Sequence, residues 1–478
     1  MRIDLEKVEL RKVDVVTRMP FRYGIATVTA LPHLLVFADF VVDDKRVQGV
    51  AADMLPPKWF TKRPNVAIED EIAEMLKVIR SACASAQQLG ERENVFRWWQ
   101  DLYQQQQNDS SLVQFPSLLK NFGVSLLERA AIDATCRRQE VTFHNAILLN
   151  LLGIRLEEIH PELANFNPVT FLPKQPTSSM SIRHTVGLSD PLEDADIEDS
   201  NRLSDGLPQS LQANLQYYGI RYLKIKIPAN IEDARSRIKG IANLFGRNNV
   251  SLSFTLDGNE FFEDPDQFRS FWDELNQDRV VKECLREGLL LVEQPLRRDI
   301  ALTDEASRVF NGWNERPPII IDESDGELDS LRRALATGYV GTSHKNCKGI
   351  IKGIANACFL KFLNSQDGGN SFVCTGEDLM NMGPVALLQD FAVAAALGLT
   401  HVERNGHHYM TGLQPMPSEV QQSVLDHHSD LYVELTSHGM QFPTLAINQG
   451  QVNLNTVNQA PFGYASELTP QQFEVFES

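Results

Sequence analysis

Four short apolar runs in this 478-residue chain carry charged residues at their carboxyl ends, and each is followed by a loop. The runs lie at residues 223–227, 251–256, 289–292 and 318–321. Short continuous apolar runs are typical of strands buried on both faces of a parallel sheet. A (β/α)8 barrel builds its active site from the carboxyl ends of several such strands. The pattern therefore predicts a barrel whose charged strand ends meet at one site.

Eight strand candidates occupy the second part of the chain, and helix candidates follow most of them. The strands are predicted near residues 181–187, 222–227, 251–256, 289–292, 318–321, 339–344, 371–375 and 401–404. Helices are predicted at residues 231–244, 265–275, 328–336, 352–363 and 384–397. Strands that alternate with helices favour a parallel sheet. Residues 138–413 are therefore predicted to form a modified (β/α)8 TIM barrel, an α/β fold.

The first part of the chain has a different pattern. Apolar and polar residues alternate over residues 1–60, which predicts an antiparallel sheet with one exposed face. Loops are predicted to interrupt this sheet at residues 19–24 and 52–59. Over residues 65–137 the apolar residues recur at helical spacing. Residues 1–137 are therefore predicted to form a separate α+β domain.

Three further segments are rich in turn residues. Residues 161–180 contain many Pro and Ser residues, and residues 189–205 are acidic, so both are predicted to be loops. The tail at residues 414–478 carries one amphipathic run at 418–425, followed by turn-rich sequence.

The composition excludes several classes of function. The formal net charge is -18 and no long basic run is present, which disfavours nucleic acid and anionic membranes as partners. The first residues lack the apolar core of a signal peptide, and no stretch approaches the roughly 18 apolar residues of a membrane span. The six cysteines are scattered, as is typical of reduced interior thiols. A cytoplasmic protein is predicted.

Two lysines share one face of the second predicted barrel strand. Lys224 and Lys226 are two positions apart, so both side chains point the same way. On an ordinary strand they would form a solvated face, but in a barrel they point into the interior. Neighbouring ammonium groups disfavour each other's charged form, and we expect the pKa of one to fall toward neutrality. Such an amine is a competent general base.

Carboxylates end the next three predicted strands. Asp257, Glu293 and Asp322 are separated by 36 and 29 positions, each about one strand–helix unit. Any one of them alone is commonplace as a helix cap or surface charge. Crowded together they would repel, and a bound cation resolves the repulsion. Ligation by oxygen alone selects a hard ion such as Mg²⁺, with Mn²⁺ as a possible replacement.

Further polar residues follow the last three predicted strands. Lys345 follows the sixth strand, which in a barrel lies across the mouth from Lys226. A carbon acid bound in the mouth would then lie between two amines. Glu377, Glu403 and Asn405 follow the seventh and eighth strands, and substrate contact and helix capping are both open for them.

Together these residues resemble the motif series of the enolase superfamily. The series is Lys224-Ile225-Lys226, Asp257-Gly258-Asn259, Glu293-Gln294-Pro295, Asp322-Glu323-Ser324 and Lys345. Within that superfamily the chain is most similar to the muconate lactonising enzyme group of the mandelate racemase/muconate lactonising enzyme family. The resemblance covers essentially the whole chain. It implies an α+β capping domain at 1–137, completed by the tail at 414–478, above a modified barrel.

The resemblance also implies roles for the residues named above. It implies that the Mg²⁺ ligands are Asp257, Glu293 and Asp322. It implies that the opposing acid/base groups are Lys226 and Lys345, with Lys224 tuning its neighbour. Substrate contacts are expected from Asn259, Arg22, Tyr23 and Glu403. Arg22 and Tyr23 correspond to a capping-domain loop that closes over the substrate in that family. Two departures, His344 before the lysine and Gly349-Ile350 in place of two glycines, concern the substrate more than the chemistry.

The implied reaction is abstraction of the proton next to a carboxylate, through an enediolate. A lysine base with Mg²⁺ is a known pattern of the superfamily and is not deduced from the spacing. Two outcomes stay open. The second lysine can return a proton to the opposite face, as in a racemase or epimerase, which is favoured here. Alternatively a β-leaving group departs, as in acid-sugar dehydratases, cycloisomerases and o-succinylbenzoate synthases. The expected partner is a small-molecule carboxylate, and a homo-oligomer is implied.

Three alternatives of other classes are less consistent with the residues. A Schiff-base aldolase would use Lys226 but would leave three acids unexplained. A barrel metallohydrolase would need a His-x-His pair, and the first predicted strand offers only His184. A non-catalytic binding protein on this scaffold would not need the complete set of five charged groups.

Overall fold

The computed structural model describes residues 1–248, 251, 253–366, 371–437 and 439–476. The chain begins with an antiparallel sheet, as its alternating pattern predicts. Its strands are β1 (Ile3–Tyr23), β2 (Ala26–Val42) and β3 (Lys45–Met54). A short strand near the end of the chain, β15 (Glu474–Val475), pairs with β1, so the strand order is β15-β1-β2-β3. The tail therefore returns to the sheet formed by the first residues.

The predicted loop at residues 19–24 is wrong, because β1 continues to Tyr23 and turns at Gly24 into β2. Phe21 and Tyr23 are buried while Arg22 between them is exposed. Consecutive side chains on a strand point to opposite faces, so continuation of the strand fixes Arg22 on the face away from its two aromatic neighbours. The second predicted interruption is real from residue 55 onward, where β3 has ended.

Three helices cover the sheet: α1 (Ile68–Leu89), α2 (Val95–Asn108) and α3 (Ser117–Gln139). Helix α3 is buried on all sides between residues 118 and 136, as expected of a helix surrounded by other elements. Close approach of α3 to β3 depends on Gly49, where a Cβ atom would lie 1.9 Å from the backbone oxygen of Ala130.

The barrel is present with all eight predicted strands, which confirms the predicted fold class. The strands are β4 (Ser179–Val186), β5 (Tyr222–Lys226), β6 (Ser253–Asp257), β7 (Leu289–Glu293), β8 (Ile319–Ile321), β9 (Gly341–His344), β10 (Val373–Gly376) and β11 (His401–Arg404). Within the ring each strand is parallel to its neighbours, and pairing of β11 with β4 closes the ring. Residue 252, within the third predicted strand, lies outside the described residues.

Helices surround the barrel in the expected alternation. They are α4 (Phe143–Leu148), α5 (Leu211–Tyr218), α6 (Ile231–Asn248), α7 (Pro265–Leu275), α8 (Arg279–Gly288), α9 (Asp304–Asn311), α10 (Ser330–Thr337), α11 (Ile350–Gln366), α12 (Val385–Leu397) and α13 (Gly406–Tyr409). Helix α8 has no counterpart among the predicted helices. Only Val281, Leu285 and Gly288 are buried in it, so most of its side chains face solvent.

The tail contacts both parts of the molecule. Its elements are α14 (Ser418–His427), the antiparallel pair β12 (Tyr432–Ser437) and β13 (Met440–Leu445), β14 (Gln451–Asn453) and α15 (Asn455–Gln459). Strand β14 pairs antiparallel with β4 of the barrel. Since the tail joins the barrel through β14 and the first sheet through β15, the division at residues 137 and 413 stays a prediction.

The two predicted loops contain short 3₁₀ turns, and the first of them ends at residue 178 rather than 180, because β4 begins at Ser179. These turns are Pro161–Leu163, Pro168–Thr170, Asp194–Asp196 and Asp199–Asn201. Within the described ranges, no helix has the length and apolar character that crossing a membrane requires.

Candidate active site

The charged residues predicted from the sequence meet at the carboxyl end of the barrel. In the strand register Lys226 lies beside Asp257, and Asp257 lies beside Glu293. Parallel pairing thus places the ends of β5, β6 and β7 next to one another. All of the predicted metal-binding and acid/base side chains are buried, namely Lys224, Lys226, Asp257, Glu293, Asp322 and Lys345.

Lys224 lies at the centre of a ring of carboxylates. Its Nζ is 3.0 Å from Asp257 Oδ2, 2.8 Å from Glu293 Oε2 and 3.0 Å from one oxygen each of Glu377 and Glu403. Burial opposes the charged amine, but the four carboxylates outweigh burial and raise the pKa of Lys224 well above its ordinary value. The expectation that its pKa falls toward neutrality is therefore wrong for this lysine, because acids from β10 and β11 complete the ring.

Lys226 and Lys345 face the same pocket from opposite sides. Lys226 Nζ donates to Asp257 Oδ2 at 2.5 Å, and Lys345 Nζ donates to Asp322 Oδ2 at 2.7 Å. Lys226 ends β5 and Lys345 follows β9, and these strands are four places apart in a ring of eight. Both side chains line one pocket at the barrel mouth. The two amines therefore line this pocket from strands on opposite sides of the ring.

The site also contains a chain of alternating charges that sequence reasoning missed. The second oxygen of Asp322 is 2.8 Å from Lys348 Nζ, and Asp325 lies 3.9 Å from Lys348 and 3.0 Å from Lys352. The series Lys345, Asp322, Lys348, Asp325, Lys352 thus runs outward from the pocket. Lys345 precedes the 3₁₀ turn Asn346–Lys348 and Lys352 lies on α11, so no single helical period in the sequence marks the three lysines. This chain holds Asp322 between two amines.

The end of β1 and the segment after β3 supply apolar walls of the pocket. Phe21 and Tyr23 enter it from the β1 end, and Trp59 enters from the segment after β3. Tyr23 Oη donates to the backbone oxygen of Pro57 at 2.8 Å, which ties the end of β1 to the segment after β3. Leu379 and Met380 complete the apolar lining from the loop after β10.

Trp59 is placed on the lysine side of the site. Lys345 Nζ lies 4.4 Å from the centre of the Trp59 ring, within the range of a cation–π contact. Arg298 holds this loop by donating to the backbone oxygens of Trp59 at 2.8 Å and Phe60 at 2.6 Å. Arg298 is itself paired with Glu260 at 2.7 Å. The segment that carries Trp59 forms part of a lid over the pocket, together with Phe21 and Tyr23. Arg298 holds this part of the lid to the barrel next to Lys345.

Of the four predicted substrate contacts, three line the pocket and one does not. Tyr23, Asn259 and Glu403 line it. Arg22 instead lines a separate cleft beside the acidic segment at 189–205, so the structure does not bring it to the lysines. Its place on the outer face of β1 is the physical reason.

The other polar side chains of the pocket differ in how many hydrogen bonds they make. Glu403 accepts from Thr185 Oγ1 at 2.6 Å, from Lys224 Nζ at 3.0 Å and from the backbone nitrogen of Asp378 at 3.1 Å. Burial would raise the pKa of Glu403, but the nearby lysines hold it well below its ordinary value. Asn259 Oδ1 and Asn405 Oδ1 are buried and have no partner among the described residues.

The donor set fits a hard divalent cation in its chemistry. Asp257, Glu293 and Asp322 offer only carboxylate oxygens, the ligands that Mg²⁺ prefers. Burial and the neighbouring acids, Glu377 first among them, raise the pKa of Glu293 well above its ordinary value. However, within the described residues no three His, Cys, Asp or Glu side chains are gathered as a metal site. Asp257 and Asp322 are turned toward Lys226 and Lys345 instead.

Comparison with known proteins supports the fold. The sequence gives no match to a family model and none to a curated protein. A mandelate racemase/muconate lactonizing protein from Herpetosiphon aurantiacus superposes with a TM-score of 0.59 at 14% identity, covering 95% of this chain and 97% of the other. The chain has the mandelate racemase/muconate lactonizing enzyme fold.

Two more structures with this fold illustrate its range. The 2-chloromuconate cycloisomerase from Rhodococcus opacus 1CP has a TM-score of 0.59 at 14% identity, with 94% of each chain covered. The dipeptide epimerase from Enterococcus faecalis V583, in complex with Mg and the dipeptide L-Leu-L-Tyr, has a TM-score of 0.57 at 14% identity, covering 94% of this chain and all of the other. At such identities the likeness shows the shared fold alone.

Proposed function

We propose that the protein is an enzyme of the mandelate racemase/muconate lactonizing family that moves the proton next to a carboxylate, as a racemase or epimerase. The observation that carries this proposal is the placement of Lys226 and Lys345 on opposite sides of one buried pocket. A single base would serve elimination equally well, whereas two opposed amines suit transfer of a proton from one face of a carbon to the other.

The proton balance of the proposed reaction is simple. With Lys226 as the uncharged amine and Lys345 as the ammonium, the Cα–H bond breaks, the proton goes to Lys226 Nζ and the electron pair is delocalised into the carboxylate as an enediolate. The ammonium of Lys345 then donates a proton to the opposite face of the same carbon. For the other enantiomer the two lysines exchange roles. Proton transfer by a positioned side chain contributes roughly 10²–10⁴-fold to the rate.

Mg²⁺ is the proposed cofactor, with Asp257, Glu293 and Asp322 as its ligands. When bound there it would offset the negative charge that develops on the substrate carboxylate. The donors fit such an ion in kind, but Asp257 and Asp322 would have to release the lysines that they now contact. Lys224 holds Asp257 and Glu293 near each other through one ammonium.

The lid supports the chemistry by excluding water. Phe21, Tyr23 and Trp59 are each nearly inaccessible to solvent while they line the pocket. A dry site strengthens the electrostatic stabilisation of the developing charge. Substrate entry therefore requires the lid to open, and the contacts of Arg298 and Tyr23 would be broken in that step.

Deuterium exchange tests this proposal. The protein is incubated in D₂O with a broad panel of chiral carboxylic acids, with Mg²⁺ and with EDTA, and exchange at Cα is followed by proton NMR. The proposal predicts Mg²⁺-dependent exchange accompanied by loss of optical purity. Release of a β-substituent without racemisation would favour elimination instead. No exchange into any acid would contradict the proposal. A homo-oligomer remains a prediction, which light scattering checks.

A further inference from the structure

One wall of the pocket is apolar. Phe21, Tyr23, Trp59, Leu379 and Met380 all line it and are all buried. The hydroxyl of Tyr23 is bonded to a backbone oxygen of the neighbouring lid loop and so presents only its ring. These walls suit an apolar substituent, since burial of apolar surface on both partners is favourable.

The acids that β11 and the loop after β10 add to the pocket lining, Glu403 and Asp378, already have protein partners. Asp378 accepts from the backbone nitrogens of Asn381 at 3.0 Å and Asn405 at 2.8 Å, and the Arg404 guanidinium lies 3.4 Å away. Glu403 is fully bonded, as described above. Neither carboxylate is free to receive a cationic substituent of a ligand.

Among the described residues that line the pocket, no positively charged side chain is left to pair with a second anionic group of a ligand. In the described part of the chain, the pocket lining contains no Arg or His side chain, and its Lys residues are Lys224, Lys226 and Lys345. The first is surrounded by four carboxylates, and the other two flank the reacting carbon. A second anionic group on the ligand would therefore be buried without a counter-charge, which is strongly unfavourable.

Two side-chain amides provide the remaining polarity. Asn259 and Asn405 line the pocket, both are more than nine-tenths buried, and the Oδ1 atom of each lacks a partner among the described residues. A buried acceptor without a donor is costly, so a ligand that offers an N–H or O–H group gains affinity here. An amide carries both a donor and an acceptor and complements an asparagine side chain.

We infer that the substrate is a monocarboxylic acid with no other charge, whose reacting carbon carries an apolar substituent and a neutral hydrogen-bonding group such as an amide. This inference rests on the proposed function. It narrows the substrate through the apolar lid and the two asparagines, and excludes dicarboxylates and acids with a cationic side chain.

A matched panel tests the inference. N-acetyl derivatives of leucine, phenylalanine, glutamate and lysine share one carboxylate and one amide and differ only in the charge and polarity of the side chain. Rates of Cα deuterium exchange are measured in D₂O with Mg²⁺ as kcat/KM. The expected result is at least a tenfold preference for the leucine and phenylalanine derivatives. Binding is measured in parallel by quenching of tryptophan fluorescence, with Trp59→Phe as the control.

A substitution that adds a positive charge to the apolar wall of the pocket tests the same inference. Leu379→Arg is expected to raise the ratio of glutamate to leucine derivative at least tenfold, in exchange and in binding. Val113→Arg, at an exposed position, is the matched control and should leave the ratio unchanged. Met380→Lys serves as a second variant, and thermal unfolding shows that each protein is folded.

The outcomes separate this inference from the proposed function. Preferential exchange of the glutamate or lysine derivative overturns the inference and leaves the proposed function standing. If none of the four derivatives exchanges but a doubly charged acid of the broad panel does, the inference is again overturned and the proposed function stands. An unchanged ratio in both folded wall variants also contradicts the inference. No exchange with any acid at all overturns both.

Discussion

The Lys345 ammonium lies 4.4 Å from the centre of the Trp59 ring, so a residue of the first sheet's loop rests directly on a side chain of the barrel site. The two residues are far apart in the sequence and meet only because the capping loops fold over the barrel mouth. Lid closure and the position of the acid/base group are therefore coupled through one contact.

Replacement of Trp59 by Ala should weaken this coupling. A cation–π contact is worth about 0.5–2 kcal/mol, so we expect KM to rise roughly 2–30-fold, with loss of water exclusion adding a fall in kcat. Trp59→Phe keeps an aromatic face and should lie between wild type and the alanine variant. Steady-state kinetics on the best substrate checks the order. Equal kinetics for all three proteins would contradict the contact's role.

The lid latch gives a second prediction. Arg298→Lys loses the paired donation to the backbone oxygens of Trp59 and Phe60, because lysine has no planar fork of donors. We expect faster proteolysis within residues 60–66 and a higher KM. Among the described residues the neighbouring Arg297 forms ion pairs with Glu263 and Asp299 near the surface, so Arg297→Lys is the matched control. Equal cleavage rates in the two variants would argue against the latch.

Glu128 should make stability depend on pH. Glu128 is fully buried on α3 and accepts a hydrogen bond from the backbone nitrogen of Ile351 at 2.6 Å. Burial raises the pKa of Glu128 to about 7. Its pKa in the unfolded chain is near the ordinary value, so the folded protein binds the extra proton. The contribution to stability is thus greatest at low pH and is lost as the pH rises through about 7.

Glu128→Gln removes this titration and keeps the acceptor for Ile351. At pH 8 the variant should be more stable than wild type by up to about 3 kcal/mol, and the difference should shrink toward pH 5. Urea unfolding at the two pH values measures it. A variant that is destabilised equally at both pH values would contradict the assignment.

Binding of Mg²⁺ should raise thermal stability, because a ligand that binds only the folded state stabilises it. A Tm increase is expected in wild type and should disappear in Glu293→Gln. The control is Glu377→Gln, since Glu377 also accepts from Lys224 at 3.0 Å but is not a proposed ligand. The quantity compared is the Mg²⁺-induced shift in each variant. A shift retained in Glu293→Gln would exclude Glu293 as a ligand.

The barrel and its charged strand ends could be predicted because both depend on local sequence. Apolar runs mark the strands, and parallel pairing forces Asp257 and Glu293 together once the sheet exists. The orientation of Arg22 could not be predicted, because it depends on whether β1 continues for four more residues. The predicted loop there hid the alternation that points Phe21 inward.

The electrostatics of Lys224 lay beyond the sequence for a different reason. Its raised pKa depends on Glu377 and Glu403, which lie more than 150 residues later and reach it only when β10 and β11 close the ring. Likewise, Lys348 and Lys345 contact different carboxylate oxygens of Asp322, an arrangement that only the folded structure determines. Such many-body arrangements follow from packing rather than from local pattern.

The most direct test of the two-lysine account is stereochemically resolved exchange in Lys226→Ala and Lys345→Ala, with each enantiomer of the best substrate supplied separately in D₂O. Each variant should lose exchange of one enantiomer by about 10²–10⁴-fold, keep exchange of the other, and abolish racemisation. The two variants should affect opposite enantiomers. Loss of the same enantiomer in both variants, or racemisation that persists in either, would contradict the account.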